Sequence, residues 1–395
     1  MNDNDMNAWI AEAVAQQADI LKDLARKIHA HPELGFEERQ ACAWQTALLK
    51  RWSFDVRTPW LDMETAYCAD FGEGKPVFCL MAEYDALPEI GHGCGHNLIA
   101  AAALGAAYAA SRALARAKVA GRIRAMGTPA EESKGGKVKI VARGGMKGVD
   151  AAMMAHPSWR TVPDTGSTAI RRFRVAFRGQ SAHAAASPEQ GRNALDAVTV
   201  LFHGIGAWRQ QLPESARIHG VVQEGGVLPN IIPDRTRCEF YLRSPDDKVL
   251  DAMTDRFKRM VRAAALMTDT EAAIEQWLTP YKARWPNATL NRLYVEAAEQ
   301  LGMAPEQPEH PGRGSSDFGD VSQKAPAAHV YFGIARQPTP AHSPQFAKAA
   351  ASAYGTSQML KAAEALARTA VRFLTNAQIR RAARDNYRAE KRSRS

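Results

Sequence analysis

The sequence predicts an α/β fold: a domain with a mixed, largely parallel sheet flanked by helices, interrupted by an inserted ferredoxin-like α+β domain. Three observations lead there. Short apolar runs at Val77–Met81, Gly121–Met126 and Ala151–Ala155 read as buried strands and alternate with helical segments. Residues 166–278 read strand, helix, strand, strand, helix, strand, which is the ferredoxin-like order. The chain has 395 residues, too many for one small core.

In chain order, Ile10, Val14, Leu21, Leu24 and Ile28 keep a helical spacing, so residues 6–30 form an amphipathic helix. Pro32 and Gly35 break it, and a second helix covers Glu37 to Leu49. His29 and His31 lie at the break and read as surface or supporting histidines. Thr65–Asp70 and Val77–Met81 are strands joined by a Gly/Pro turn. Leu98 to Ala115 is Ala- and Leu-rich and reads as a buried helix.

In the inserted domain, strands at 168–177, 217–223, 236–242 and 271–277 enclose helices at 193–211 and 248–267. After Pro280 come a helix at 290–301, a strand at 328–332 and one long helix at 346–374. The expected domains are 1–165 with 279–380, the insert at 166–278, and a basic tail at 381–395.

Composition bounds the function. Hydrophobic residues make up 46% and charged residues 24%, which places the chain among folded globular proteins. No apolar run reaches the roughly 18 residues expected of a membrane span. The acidic start lacks the basic region of a signal peptide. Five scattered cysteines do not form a disulfide framework. A cytoplasmic location without membrane partners is the expectation. The net charge is +9, but seven Lys or Arg against two acids fall within residues 380–395. Such tails are usually solvated and disordered, so nucleic acid is not an expected partner.

The densest chemistry is Gly91-His92-Gly93-Cys94-Gly95-His96-Asn97. Cys94 and His96 are zinc-competent donors, and the glycines let the backbone bend. The loop lies between a buried strand and a helix, where open α/β sheets place their sites. Asp85 lies just before it and could orient a ligand imidazole or cap a turn. Glu131 and Glu132 follow the next strand; one carboxylate could bind metal while the other takes a proton from water. His156 follows the third strand, and His342 heads the last long helix as a further candidate ligand.

Together these segments resemble metallopeptidase family twenty, which includes aminoacylase, carboxypeptidase G, and hippurate and auxin-conjugate hydrolases. The resemblance rests on His31-Pro32-Glu33-Leu34-Gly35-Phe36-Glu37-Glu38, the Cys-Gly-His loop, Pro129-Ala130-Glu131-Glu132 and Ala155-His156-Pro157. It continues through Ser181-Ala182-His183, Asn230-Ile231-Ile232-Pro233 and Arg243. Glu83-Tyr84-Asp85, Gly93 and Asn97, with Gly319-Asp320-Val321-Ser322, resemble the branch that holds aminobenzoyl-glutamate hydrolase and the β-alanyl dipeptidases.

The resemblance implies a dinuclear-metal amidohydrolase. Cys94 would bridge two divalent ions, zinc first, with manganese or cobalt as alternatives. His96 and His156 would complete one, and Glu132 and His342 the other, with Glu131 as general base and acid. The insert would be a lid and homodimerisation domain whose His183, Asn230 and Arg243 bind substrate. An aminohydrolase acting on an aromatic acid, and a non-catalytic metal-binding protein, are the competing expectations.

Overall fold

The computed structural model describes residues 3–132, 134–308 and 310–394. The chain begins with α1 (Asp3–Ala30), α2 (Arg39–Arg51), β1 (Asp55–Arg57), β2 (Tyr67–Glu73) and β3 (Val77–Ala82). Then come α3 (His96–Ala117), β4 (Gly121–Gly127), α4 (Gly136–Ala142) and β5 (Ala151–Ser158). The insert holds β6 (Ala169–Arg178), α5 (Ala194–Trp208), β7 (Arg217–Glu224), β8 (Arg235–Ser244), α6 (Asp247–Met267) and β9 (Glu271–Gln276). The rest is α7 (Ala288–Gln300), α8 (Phe318–Ser322), β10 (Ala327–Gly333), α9 (Pro344–Ala350), α10 (Ala353–Thr375) and α11 (Ala377–Arg394).

The chain divides into two compact units. One contains the residues up to Ser167 and those from Arg284; the other is Thr168–Ala283. The first contains a six-stranded sheet in the order β1-β2-β4-β3-β5-β10. β4, β3, β5 and β10 run parallel, while β2 and β1 close one edge antiparallel. Side chains alternate across it, as the two-residue strand period demands. Phe78 and Leu80 face one core with α1, α3 and α10, while Cys79 and Met81 face another with α4 and α8. Both faces being covered, the parallel strands are apolar almost throughout, and this made them visible in the sequence.

The second unit is a four-stranded antiparallel sheet, β7-β8-β6-β9, with α5 and α6 packed on it. Both units together give the mixed α/β architecture with an inserted α+β sheet.

Four expectations need correction. The helix expected over 346–374 is two, α9 and α10, because Ser352 accepts from Gly355 N and starts a new helix there. The last helix is therefore not the one that follows His342. The tail expected to be disordered is helical as α11, up to Arg394; Ser395 lies outside the described residues. Finally, α3 is long and apolar enough to cross a membrane by length and composition, yet most of it is buried between α1, α10 and the sheet. Its apolarity is that of a core helix.

Candidate metal centre and active site

The parallel strands deliver the candidate residues at their carboxyl ends, where open α/β sheets hold their sites. Cys94 and His96 follow β3, Glu131 and Glu132 follow β4, and His342 follows β10. His156 lies within β5, which runs three residues further than the sequence suggests.

The donor atoms of Cys94, His96 and His156 lie within 4.8 Å of one another, and so do those of Cys94, Glu132 and His342. Cys94 belongs to both triples. Its Sγ is 3.5 Å from His156 Nε2. His96 Nε2 is 3.6 Å from Glu132 Oε1, and His342 Nε2 is 3.5 Å from Glu132 Oε2. Zinc bonds of about 2.0–2.3 Å give tetrahedral edges of about 3.3–3.8 Å. The observed spacings are edges of that size.

The protonation pattern also fits. His96 Nδ1 is 2.9 Å from Asp85 Oδ1, so the ring donates there and Nε2 is its ligand atom; against the effect of burial, Cys94 and Asp85 raise its pKa well above the ordinary range, so a bound ion would take the place of a proton at Nε2. His96 is fully buried, and Nε2 makes no hydrogen bond of ordinary geometry among the described residues. Asp85 Oδ2 accepts from Glu132 N at 3.0 Å, so one carboxylate fixes two donors. His156 Nδ1 donates to Pro157 O at 2.7 Å, and burial lowers its pKa to about 4, keeping the imidazole neutral. Burial and neighbouring Glu132 push the Cys94 thiol well above its ordinary range. A thiolate there calls for cations beside it. Burial, with Glu83 and Glu132 nearby, likewise raises the pKa of Glu131 well above the carboxylate range.

Local backbone explains the motifs. Gly95 has φ +77°, and a Cβ there would lie 2.7 Å from Pro157 Cγ, so the Cys-Gly-His turn requires glycine. His342 has φ 61° and donates its N–H to Gly93 O at 2.9 Å, which ties its loop to the Cys94 loop. Ala130, with φ 60°, turns the chain just before Glu131.

The His31–Glu38 motif supports the site from outside. Glu33 accepts from Gln40 N and Ala41 N, capping α2, while its carbonyl accepts from Ala86 N at 2.8 Å. Glu38 is fully buried and accepts from Ala130 N and Thr65 Oγ1, each at 2.8 Å. His29 Nε2 bonds to Ala347 O, and His31 is exposed against the edge of Trp44.

Sequence reasoning gave Glu38, Lys137 and Asp317 no role in this region. Lys137 is fully buried, in ion contact with Glu83 Oε1 and 2.7 Å from Asp317 Oδ1. A lysine after two glycines reads as surface; the usable signal was Gly135-Gly136 shortly after the paired glutamates.

His183, Asn230 and Arg243 lie in the second unit, and the structure does not bring all three together there. His183 bridges Ile231, and Ala184 N donates to Asn230 O at 3.0 Å, so His183 and Asn230 are neighbours beyond the start of β8. Arg243 is at the other end of β8, paired with Ile170 and Arg217. At about 3.3 Å per residue, the strand separates them by roughly 26 Å.

Residues 79–372 match Peptidase family M20/M25/M40. The chain is 35% identical over 381 residues to Xaa-Arg dipeptidase of Mus musculus, covering 91% of this chain and 87% of that protein. It is 33% identical over 315 residues to a p-aminobenzoyl-glutamate hydrolase polypeptide of Escherichia coli (strain K12), covering 74% of this chain and 65% of that one. Among solved structures, a dinuclear metal-binding peptidase from Bacillus subtilis superposes with TM-score 0.71 at 22% identity, covering 91% of this chain and 99% of that one.

Proposed function

The chain belongs to peptidase family M20/M25/M40 and is a metal-dependent hydrolase; from that premise we propose that it cleaves the amide bond of an N-acyl amino acid or dipeptide with a free carboxylate. One observation carries the reading: two donor triples share Cys94, with Glu131 beside Glu132 and His96. The dipeptidase and the aminobenzoyl-glutamate hydrolase among its relatives support the substrate class.

Cys94, His96 and His156 would hold one divalent ion, and Cys94, Glu132 and His342 a second, zinc being first choice for thiolate with imidazole. When bound, such ions lower the pKa of the attacking water and polarise the scissile carbonyl. The remaining steps belong to side chains. The Glu131 carboxylate takes the proton of the attacking water and returns it to the leaving amine nitrogen. Asp85 keeps the His96 Nε2 lone pair available. His183 would donate to the developing oxyanion. Asn230 and Arg243 would bind the substrate, the Arg243 fork matching a carboxylate.

A homodimer follows from the same reading. His183 and Asn230 are a strand's length from Arg243, too far for one small substrate, so two copies of the insert would serve each site. β7 is an edge strand with Val221 and Val222 exposed, and Val227, Leu228 and Ile231 extend that apolar surface. An open apolar edge of this kind is suited to pairing with a second copy.

The test is a panel of dipeptides and N-acyl amino acids, each with its carboxylate free or masked as an amide, in the presence of zinc, manganese or cobalt. Release of a free amino acid from the unmasked members supports the reading. Ammonia release from an amino-substituted aromatic acid instead would point to an aminohydrolase, and no turnover at all to a non-catalytic protein.

A further inference from the structure

We propose that Glu83 is an additional carboxylate donor of the metal centre, fixed in place by Lys137; the inference rests on the reading of this site as a metal pair. Glu83 follows β3, two residues before Asp85, and its side chain is fully buried. Its Oε2 lies 3.4 Å from His96 Nε2. Neither atom makes a hydrogen bond of ordinary geometry among the described residues. Asp85 already takes the proton of His96 Nδ1. His96 Nε2 and a carboxylate oxygen thus face each other, both buried and neither hydrogen-bonded, in a site without solvent. The pair requires positive charge, either an ion against both atoms or a proton on Nε2. The separation is again an edge of a zinc tetrahedron, about 3.3–3.8 Å.

Lys137 explains why only one oxygen of Glu83 turns to His96. Its Nζ is in ion contact with Glu83 Oε1 and lies 2.7 Å from Asp317 Oδ1, while its backbone N donates to Asp317 Oδ2 at 2.9 Å. The ammonium is therefore held from two sides. Its approach depends on Gly136, where a Cβ would lie 1.8 Å from Pro129 O, so α4 can start directly beneath the turn that carries Glu131. Donor atoms of Glu83, Glu131 and Asp317 lie within 4.8 Å of one another, a grouping that could itself attract a cation. The Lys137 ammonium supplies that positive charge from within the chain. It thereby leaves Glu83 Oε2 for the ion at His96 and keeps this carboxylate group from acting as a third metal site. The competing arrangement is a His96 imidazolium shared between Asp85 and Glu83, with no ion touching Glu83.

The direct test is a crystal structure of the full chain loaded with zinc, with anomalous differences locating the ions. The expected result is a Glu83 oxygen about 2.0–2.2 Å from the ion at His96. An ion on His96 with both Glu83 oxygens beyond about 3 Å overturns the inference and leaves the metal-pair reading intact. Absence of any ion on Cys94 and His96 overturns both. In solution, Glu83→Ala should weaken one of two ions by about tenfold or more in competition with a chelator, while Glu131→Gln retains both at wild-type affinity. Wild-type affinity for both ions in folded Glu83→Ala overturns the inference. If the unpaired Lys137 prevents that variant from folding, Glu83→Ala with Lys137→Met removes both charges and gives the same readout.

Discussion

Ala130 holds a left-handed backbone directly before Glu131, a conformation that costs a non-glycine residue about 1–3 kcal/mol. The Glu38 carboxylate offsets part of this by accepting the Ala130 N–H. Burial, with Asp85 nearby, pushes Glu38 from 4.5 to about 7. The folded state therefore holds this proton more tightly than the unfolded chain. Its contribution to stability is full below about pH 4.5 and is lost as pH rises towards 7. Glu38→Gln should flatten the fall in stability between pH 5 and pH 8 by up to roughly 3 kcal/mol, read by denaturant unfolding at both pH values. An unchanged slope would mean that Glu38 is not the titrating group. The same residues mark the limit of the sequence at this scale. Cys94, His96 and His156 stood out because thiol and imidazole are rare and fell at strand ends. Glu38, Lys137 and Asp317 did not, because charged residues in turns look like surface until burial is known.

At the scale of elements, the strands around the site were legible because burial on both sides makes them continuously apolar. The break between α9 and α10 was not, because apolar spacing continues through it and only the Ser352 cap interrupts the backbone. The tail was misjudged for a related reason. Charge count suggested disorder, but a few polar contacts dock α11. Asn386 Oδ1 accepts from Thr289 N and Oγ1 at the start of α7, Asn287 Nδ2 donates to Ala383 O, and Tyr387 OH donates to Gln323 O. Asn386→Ala should cost about 1 kcal/mol and lower Tm by a few degrees, with turnover unchanged because no site residue moves. Calorimetry and a single-substrate assay check both halves. A loss of turnover without a loss of Tm would show that α11 acts on the site rather than on stability.

For the whole molecule, the order β-α-β-β-α-β identified the insert because helical and strand periods alternate cleanly there. The ends of its sheet at which His183, Asn230 and Arg243 lie depended on strand pairing, which no periodicity reveals. Their separation predicts a composite site. Mixing His183→Ala chains with Glu131→Gln chains should restore activity that neither has alone, because one of the two sites in each heterodimer regains both groups. Verified heterodimers without recovery would show that each site is built within one chain. The central claim is that Glu131 moves the proton at a metal-held water, and the most direct measurement is turnover of Glu131→Gln alongside its metal content. The account predicts a fall of about 10²-fold or more with two ions still bound, whereas Glu132→Gln loses metal. Near wild-type turnover in metal-replete Glu131→Gln would contradict it.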